Sequence, residues 1–239
     1  MIPARYDSQR FPGKLMKDLA GKTVIRRTYE AVTDSGLFDE VIVVTDSELI
    51  FDEIKKYGGQ VRMSKEQHAT GTDRIAEFAS GTDADIIINI QGDEPFINTQ
   101  ALQLLIETFE NDAYEIIDIA SLMIKIENKA DFLNPNNVKV VTDTDGFAMY
   151  FSRAPIPYSR DNVFEKAYKH IGVYAFRKEI LEEIAGLPPT DLEQIEKLEN
   201  LRFLQNGMMI KMLETHSVNF GIDTEEDLQK AVRLLNENR

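Results

Sequence analysis

The first half of the chain alternates short β-branched runs with segments of helical spacing, and few folds accept that pattern. VIVVT (41–45) reads as a buried strand. SELIFDEIKKYGG follows with apolar residues at Leu49, Ile50, Ile54 and Tyr57; Ser47 is placed to cap its start and Gly58 suits its end. QVRM (60–63) reads as a short strand, and TGTDRIAEFASG as a capped helix that stops at Gly81. DIIINIQ (85–91) is the clearest central strand, and NTQALQLLIETFEND a helix with Asn98 at its N-cap. An earlier helix covers about 23–35 and ends at Gly36. Strands alternating with helices imply right-handed βαβ crossovers and a mostly parallel sheet. Ligands of such sheets collect beyond the carboxyl ends of the strands. The residues just after VIVVT and DIIINIQ are therefore the first places to look for a site.

The second half is mixed. VKVVTD (138–143) and FAMYFSR (147–153) flank the turn TDG and read as a hairpin. GVYAFR (172–177) reads as a strand, and TDLEQIEKLENLRFLQNG as one helix opened by a Thr190–Glu193 capping box. Its Leu192, Ile195, Leu198 and Leu201 recur at helical spacing and read as core. GIDTEEDLQKAVRLLNEN holds a last helix with a Thr224–Asp227 capping box. No internal repeat, linker or low-complexity segment is evident.

Composition narrows the function classes. The 239 residues suit one large domain, or one domain with a substantial insertion. The absence of cysteine excludes disulfides and thiolate metal sites. No apolar run reaches the ~20 residues of a membrane span, and no signal-peptide pattern opens the chain, so the expected compartment is the cytoplasm and no membrane partner is expected. A formal net charge of −14 argues against a general nucleic-acid binder, which needs a basic face. It also requires any anionic substrate to find a locally basic pocket or bound metal ions.

Several stretches carry candidate chemistry. MIPARYDSQRFPGK places Arg5, Arg10 and Lys14 around a Pro-Gly turn. There is no G-x-G-x-x-G and no P-loop, but such a turn can gather two cations and backbone N–H groups on one side, where they could hold phosphate. A solvated basic loop is the equal alternative. QGDEPF (91–96) follows the central strand directly; Asp93 there could hold Mg²⁺, or be a turn residue. GID (221–223) puts Asp223 ahead of a capped helix, and its interest depends on pairing with Asp93 across a metal. HATGTDR (68–74) sets hydroxyls, Gly71 and Arg74 at a helix start, where either a ligand or a plain Thr70 or Thr72 cap is served. His68 reads as an exposed loop histidine, His170 as a ligand group or strand lead-in, and His216 as surface.

IPARYDSQRFPGK, QHATGTDRIAE, NIQGDEPFI, NPNNVKVVTD, YFSRAPIPYSR, KHIGVYAFR, LEQIEKLENLR and GIDTEEDL come in an order that resembles the 3-deoxy-D-manno-octulosonate (Kdo) cytidylyltransferases, or CMP-Kdo synthetases, across nearly the whole chain. The resemblance implies an α/β, Rossmann-like (GT-A-like) nucleotidyltransferase fold. Its central sheet would be mixed and mostly parallel, in a single domain over 1–239 with a smaller dimerisation insertion at about 125–170. It implies the reaction of CTP and Kdo to CMP-Kdo and pyrophosphate, with Mg²⁺ as cofactor and a homodimer as the assembly, in lipopolysaccharide core biosynthesis. Arg10 and Lys14 match triphosphate-binding positions, Ala4 and Arg5 the backbone stretch lining the nucleotide. Thr72 and Arg74 match the segment near base and ribose. Gln91 and Asp93 match the strand-end pair, with Asp93 and Asp223 as metal ligands. Arg153, His170, Tyr174, Glu199 and Asn200 fall on the sugar-acid side, with Gln91 also near the sugar and Arg153 as partner of the sugar carboxylate. In catalysis Arg10, Lys14, Asp93 and Asp223 would carry the charge.

Two features depart from that family. Its members place several apolar residues before IPAR, whereas here only Met1 and Ile2 precede Pro3, so either the chain starts late or its first strand is clipped, and a clipped strand is expected to cost stability. Many members have Gln where Asn200 stands, which could mark the 8-amino analogue of Kdo as substrate or be neutral drift. A sialic-acid cytidylyltransferase, a sugar-1-phosphate nucleotidyltransferase and a catalytically inactive nucleotide-binding protein are the competing readings.

Overall fold

A computed structural model describes residues 1–8, 11–66, 68, 70–160, 167–216 and 221–237. They fall into two compact units, the first built from Met1–Gly81, Asn89–Thr99 and Asn219–Arg239, the second from Thr82–Ile88 and Gln100–Val218.

The first unit holds a parallel three-stranded sheet in the order β1-β4-β5, formed by β1 (Ile2–Ala4), β4 (Ile42–Thr45) and β5 (Gln60–Met63). All residues of β1 and β4 are buried, as β-branched runs covered on both faces should be. The short first strand pairs over its whole length with β4, from Ile2 opposite Val43 to Ala4 opposite Thr45. Its ladder continues at Met1, whose carbonyl accepts from the Ile90 N–H at 3.1 Å. A small hairpin, β2 (Asp18–Leu19) and β3 (Lys22–Thr23), leads into α1 (Val24–Asp34). The Thr23 hydroxyl accepts from the Arg26 N–H to cap α1, which buries Val24, Ile25, Thr28 and Val32. Helix α2 (Glu48–Lys56) buries Ile50 and Ile54; Ser47 stands at its N-cap without a side-chain bond. Helix α3 (Gly71–Ala79) is capped by Thr70, which accepts from the Asp73 N–H at 3.1 Å. The unit closes with the helix Glu225–Glu237, entered through the expected box of Thr224 and Asp227.

The second unit is built on a mixed sheet in the order β11-β7-β10-β8-β9, with β6 pairing β10. The strands are β6 (Ile86–Asn89), β7 (Ile119–Lys125), β8 (Lys139–Thr142), β9 (Ala148–Ser152), β10 (Tyr168–Arg177) and β11 (Ile210–Glu214). Between them run α4 (Thr99–Glu110), α5 (Lys129–Leu133), α6 (Lys178–Ala185), α7 (Asp191–Glu196) and α8 (Asn200–Gln205). The expected hairpin is β8 against β9. The mixed character of the sheet is thus divided: the β1-β4-β5 sheet is parallel throughout, while here β11 runs parallel to β7 and the β7-β10-β8-β9 pairings are antiparallel.

Three sequence readings change. The single helix over 190–207 is two, because Lys197 adopts the left-handed region (φ 55°) and ends α7. Of the four residues read as core, Ile195 turns outward, 76% exposed, and Leu192 is only half-buried, while Leu198 and Leu201 are buried. The strand read at 172–177 begins four residues earlier, at Tyr168, with a register shift between Ile171 and Tyr174.

Candidate active site

Lys14, Asp93 and Asp223 come from three distant parts of the chain and meet in the first unit. The turn that delivers Lys14 has Gly13 at φ 68°, which any side chain would find strained, and Gly13 donates its N–H to the Tyr6 carbonyl at 3.2 Å. Lys14 then opens a single 3₁₀ turn, Lys14–Met16. Asp93 lies in the loop after β6, at a strand's carboxyl end. A Cβ on the preceding Gly92 would lie 3.0 Å from Ile25 Cδ1 and 3.2 Å from the Pro3 carbonyl, so only glycine lets this loop approach β1 so closely. The buried Thr28 hydroxyl holds the Gly92 carbonyl at 2.9 Å. Asp223 is fixed beside Asp93 by the neighbouring backbone, where the Ile222 N–H donates to the Asp93 carbonyl at 2.9 Å. The Lys14 ammonium donates to the Asp93 carboxylate and, at 2.9 Å, to Asp223 Oδ1. Burial pulls the Lys14 pKa down, but the Asp93 carboxylate and then Asp223 outweigh it and hold the group above its ordinary value.

This pair of carboxylates fits a hard divalent cation. Mg²⁺ takes one or two protein carboxylates and completes its shell with substrate phosphate and water. Among the described residues, no group of three or more His, Asp or Glu side chains gathers as a full cage.

A cavity of about 140 Å³ opens in the same unit, lined by Pro3, Ala4, Arg5, His68, Thr70, Gly71, Arg74 and Gln91. Ala4, Arg5, Arg74 and Gln91, expected on the nucleotide side, are thus brought together. Thr72, also expected there, is buried in the first turn of α3, within 3.5 Å of Asn89 Nδ2. Asn89 Oδ1 in turn accepts from Gln91 Nε2 at 3.4 Å. The Arg74 side chain is 4% exposed; its Nη2 donates to Asp46 Oδ2 at 2.8 Å, while Nη1 is buried with no partner among the described residues. A buried guanidinium N–H without an acceptor is costly unless a ligand supplies one. Arg10 lies outside the described residues.

The sugar-side candidates sit in the second unit. The His170 ring packs at 5.1 Å from that of Phe151 and 5.3 Å from that of Tyr174. Although the residue as a whole is only half-buried, enclosure of the ring pushes its pKa down to about 3, so the imidazole is neutral. Ser121 Oγ lies 2.9 Å from His170 Nε2 and 2.9 Å from the Val173 carbonyl. With the hydroxyl donating to a carbonyl, Nε2 carries the proton and Nδ1 remains an acceptor. Tyr174 is held as a neutral phenol by burial first and by the Glu199 charge second, opposed by a hydrogen bond from Asn200. Asn200 Oδ1 is buried without a partner among the described residues. His170, Tyr174, Glu199 and Asn200 therefore form one cluster. Arg153 is engaged elsewhere: Nε donates to the Glu196 carbonyl at 2.8 Å, Nη1 to that of Pro135 at 3.1 Å and Nη2 to that of Lys197 at 3.4 Å.

Sequence reasoning pointed to the position after VIVVT without naming Asp46, and passed over Asn89 and Ser121; His68, read as an exposed loop histidine, is instead largely enclosed, with its Nε2 2.7 Å from Glu77 Oε2. Asp46 had a signal: it is the first residue beyond the strand end at Thr45. Asn89 and Ser121 had none, since each is one polar residue in an apolar strand.

The profile of the cytidylyltransferase family matches residues 1–212. A 3-deoxy-manno-octulosonate cytidylyltransferase of Christiangramia forsetii is 56% identical over 98% of this chain and 95% of its own length. One from Flavobacterium johnsoniae is 54% identical over 98% and 97%. A solved CMP:2-keto-3-deoxy-manno-octonic acid synthetase complexed with CTP superposes with a TM-score of 0.93 at 37% identity, covering 100% of this chain and 98% of that one. A 4-diphosphocytidyl-2C-methyl-D-erythritol synthase of Anaerococcus prevotii shares the fold alone, at TM-score 0.62 and 18% identity. The chain belongs to the cytidylyltransferase family, among the 3-deoxy-manno-octulosonate cytidylyltransferases.

Proposed function

We propose that this enzyme joins CTP and Kdo to give CMP-Kdo and pyrophosphate, in the cytoplasm and as a homodimer, supplying activated sugar for lipopolysaccharide. The observation that supports the reading is the meeting of Lys14, Asp93 and Asp223 in the same unit as a cavity lined by Arg74, whose Nη1 is buried without a partner among the described residues. Arg74 Nη1 gives an acceptor on the nucleotide its missing partner, with the Asp46 pair holding the guanidinium plane in place. Arg5, the α3 N-terminus and Lys14 supply positive potential for the triphosphate within a strongly acidic protein. In the second unit, His170 Nδ1 and Asn200 Oδ1 are acceptors for sugar hydroxyls, and the Tyr174 phenol is a donor.

In the reaction the anomeric hydroxyl of Kdo attacks the α-phosphorus of CTP. The new O–P bond forms as the bond to the β-phosphate oxygen breaks, pyrophosphate leaves, and the hydroxyl proton passes to water. Asp93 and Asp223 would hold Mg²⁺, which when bound offsets phosphate charge and lowers the pKa of the attacking hydroxyl. The residues of this chain contribute positioning and charge rather than covalent chemistry.

The dimer reading rests on exposed apolar side chains within about 125–170: Leu133 (52%), Met149 (65%) and Tyr158 (87%). Among the described residues no helix is long and apolar enough to cross a membrane. The function is tested by pyrophosphate release with CTP, UTP and GTP against Kdo, 8-amino-Kdo and a sialic acid. The reading expects CTP with Kdo to be turned over fastest. Preference for 8-amino-Kdo would move the assignment to that sugar, and nucleotide binding with no release would make the chain a binding protein.

A further inference from the structure

We propose that Lys14 is an internal cation that occupies the Asp93–Asp223 pair until a nucleotide triphosphate draws it off, so that the enzyme takes up its divalent metal together with the nucleotide and not before it. The inference rests on the reading that these two carboxylates hold the metal.

The ammonium contacts both carboxylates. A divalent cation on those oxygens would stand within a few ångströms of Nζ, and like charges at such range repel strongly in a partly buried site. The Lys14 side chain is only 12% exposed, so water screens that repulsion poorly. The backbone geometry makes exchange of the head group cheap. Gly13 and the 3₁₀ turn fix the Lys14 backbone, while a flexible four-carbon stem carries the charge. The head can swing to a phosphate oxygen without moving the turn. The carboxylates cannot separate as easily, because the Ile222 N–H to Asp93 carbonyl bond ties their segments together. Two carboxylates at this range repel each other, and Lys14 offsets that repulsion in the resting enzyme. With a net charge of −14, the protein would otherwise concentrate stray divalent cations at such a pair.

The test is Mn²⁺ binding to nucleotide-free enzyme, followed by the free-ion electron paramagnetic resonance signal, for wild type, Lys14→Met and Lys14→Gln. Both neutral variants should bind Mn²⁺ about tenfold more tightly or better than wild type, and adding Asp223→Asn to Lys14→Met should abolish the gain. If a neutral variant unfolds without metal, its affinity is read from the rise in urea midpoint with Mn²⁺ concentration, which follows RT ln(1 + [Mn²⁺]/Kd). Unchanged or weaker Mn²⁺ binding in the neutral variants overturns the proposal, as does a gain that survives Asp223→Asn. Pyrophosphate release by wild type is measured beside it. Failure of turnover rejects the functional reading, whereas the Mn²⁺ titration decides the role of Lys14 independently of it.

Discussion

Arg74 is the residue in which burial, geometry and function meet most closely. Its side chain is almost fully enclosed, one guanidinium nitrogen is paired with Asp46, and another has no acceptor among the described residues. Replacing it by Met should weaken CTP binding by roughly ten- to hundredfold, the worth of a charge-assisted hydrogen bond. Arg74→Lys should fail nearly as badly, because an ammonium cannot keep the Asp46 pair and the second N–H together. The measurement is calorimetric titration with CTP. His170 makes a separate prediction through pH. Its folded pKa of about 3 lies below the 6.5 of an ordinary histidine. Between these values the unfolded chain binds the proton and the native one does not. Its contribution is therefore intact above about pH 6.5 and is lost as pH falls, at up to about 1.4 kcal/mol per pH unit. Urea melts from pH 7 to 4 should show a shallower loss in His170→Asn than in wild type.

Helices and strands were legible in the chain wherever one period governed a segment. The α1, α2 and α3 spans follow from apolar spacing between a capping Thr or Ser and a following glycine. Strands β4 and β6 follow from unbroken β-branched runs. The 190–207 segment was misread because helical spacing persists across Lys197, and nothing local announces a left-handed lysine. Strand β7 is as apolar as any helix core, and β11 owes its place to pairing with β7, a contact no periodicity encodes. The site was legible unevenly for the same reason. Asp93 could be placed from its strand end. That Asp223 stands beside it depends on a backbone bond between distant segments, and in the sequence only family resemblance suggested it. At this scale Lys139 is the residue to test. It is fully buried in β8, and its ammonium donates to the carbonyls of Asn134 (3.0 Å), Asn137 (2.6 Å) and Arg153 (2.6 Å). Lys139→Met removes all three bonds from half-buried carbonyls, of which that of Asn134 keeps the Asn137 N–H at 3.1 Å, and so it should destabilise the protein by about 2 kcal/mol. Thermal or urea unfolding measures the loss.

For the whole molecule, the chemistry requires an acidic protein to hold a highly charged anion. The described residues meet that requirement with a few cations placed on backbone turns, not with a basic surface. Lys14 emerges from a glycine-dependent turn and Arg74 from the first turns of α3. The carboxylates that would accept metal lie against the same lysine. The apolar side chains exposed at 125–170 belong to this scale too. If the proposed dimer forms through this face, Met149→Asp should shift the enzyme toward monomer in light scattering at micromolar concentration, because charge is depleted at the core of an interface.

The central claim is that Asp93 and Asp223 make this fold a metal-dependent cytidylyltransferase. The most direct measurement is pyrophosphate release from CTP and Kdo by wild type, Asp93→Asn and Asp223→Asn, with and without Mg²⁺. The account predicts release by wild type that stops on chelation. It predicts a loss of about hundredfold or more in each variant, with the unfolding temperature nearly unchanged. Full turnover by either variant, or release by wild type without a divalent metal, would contradict it.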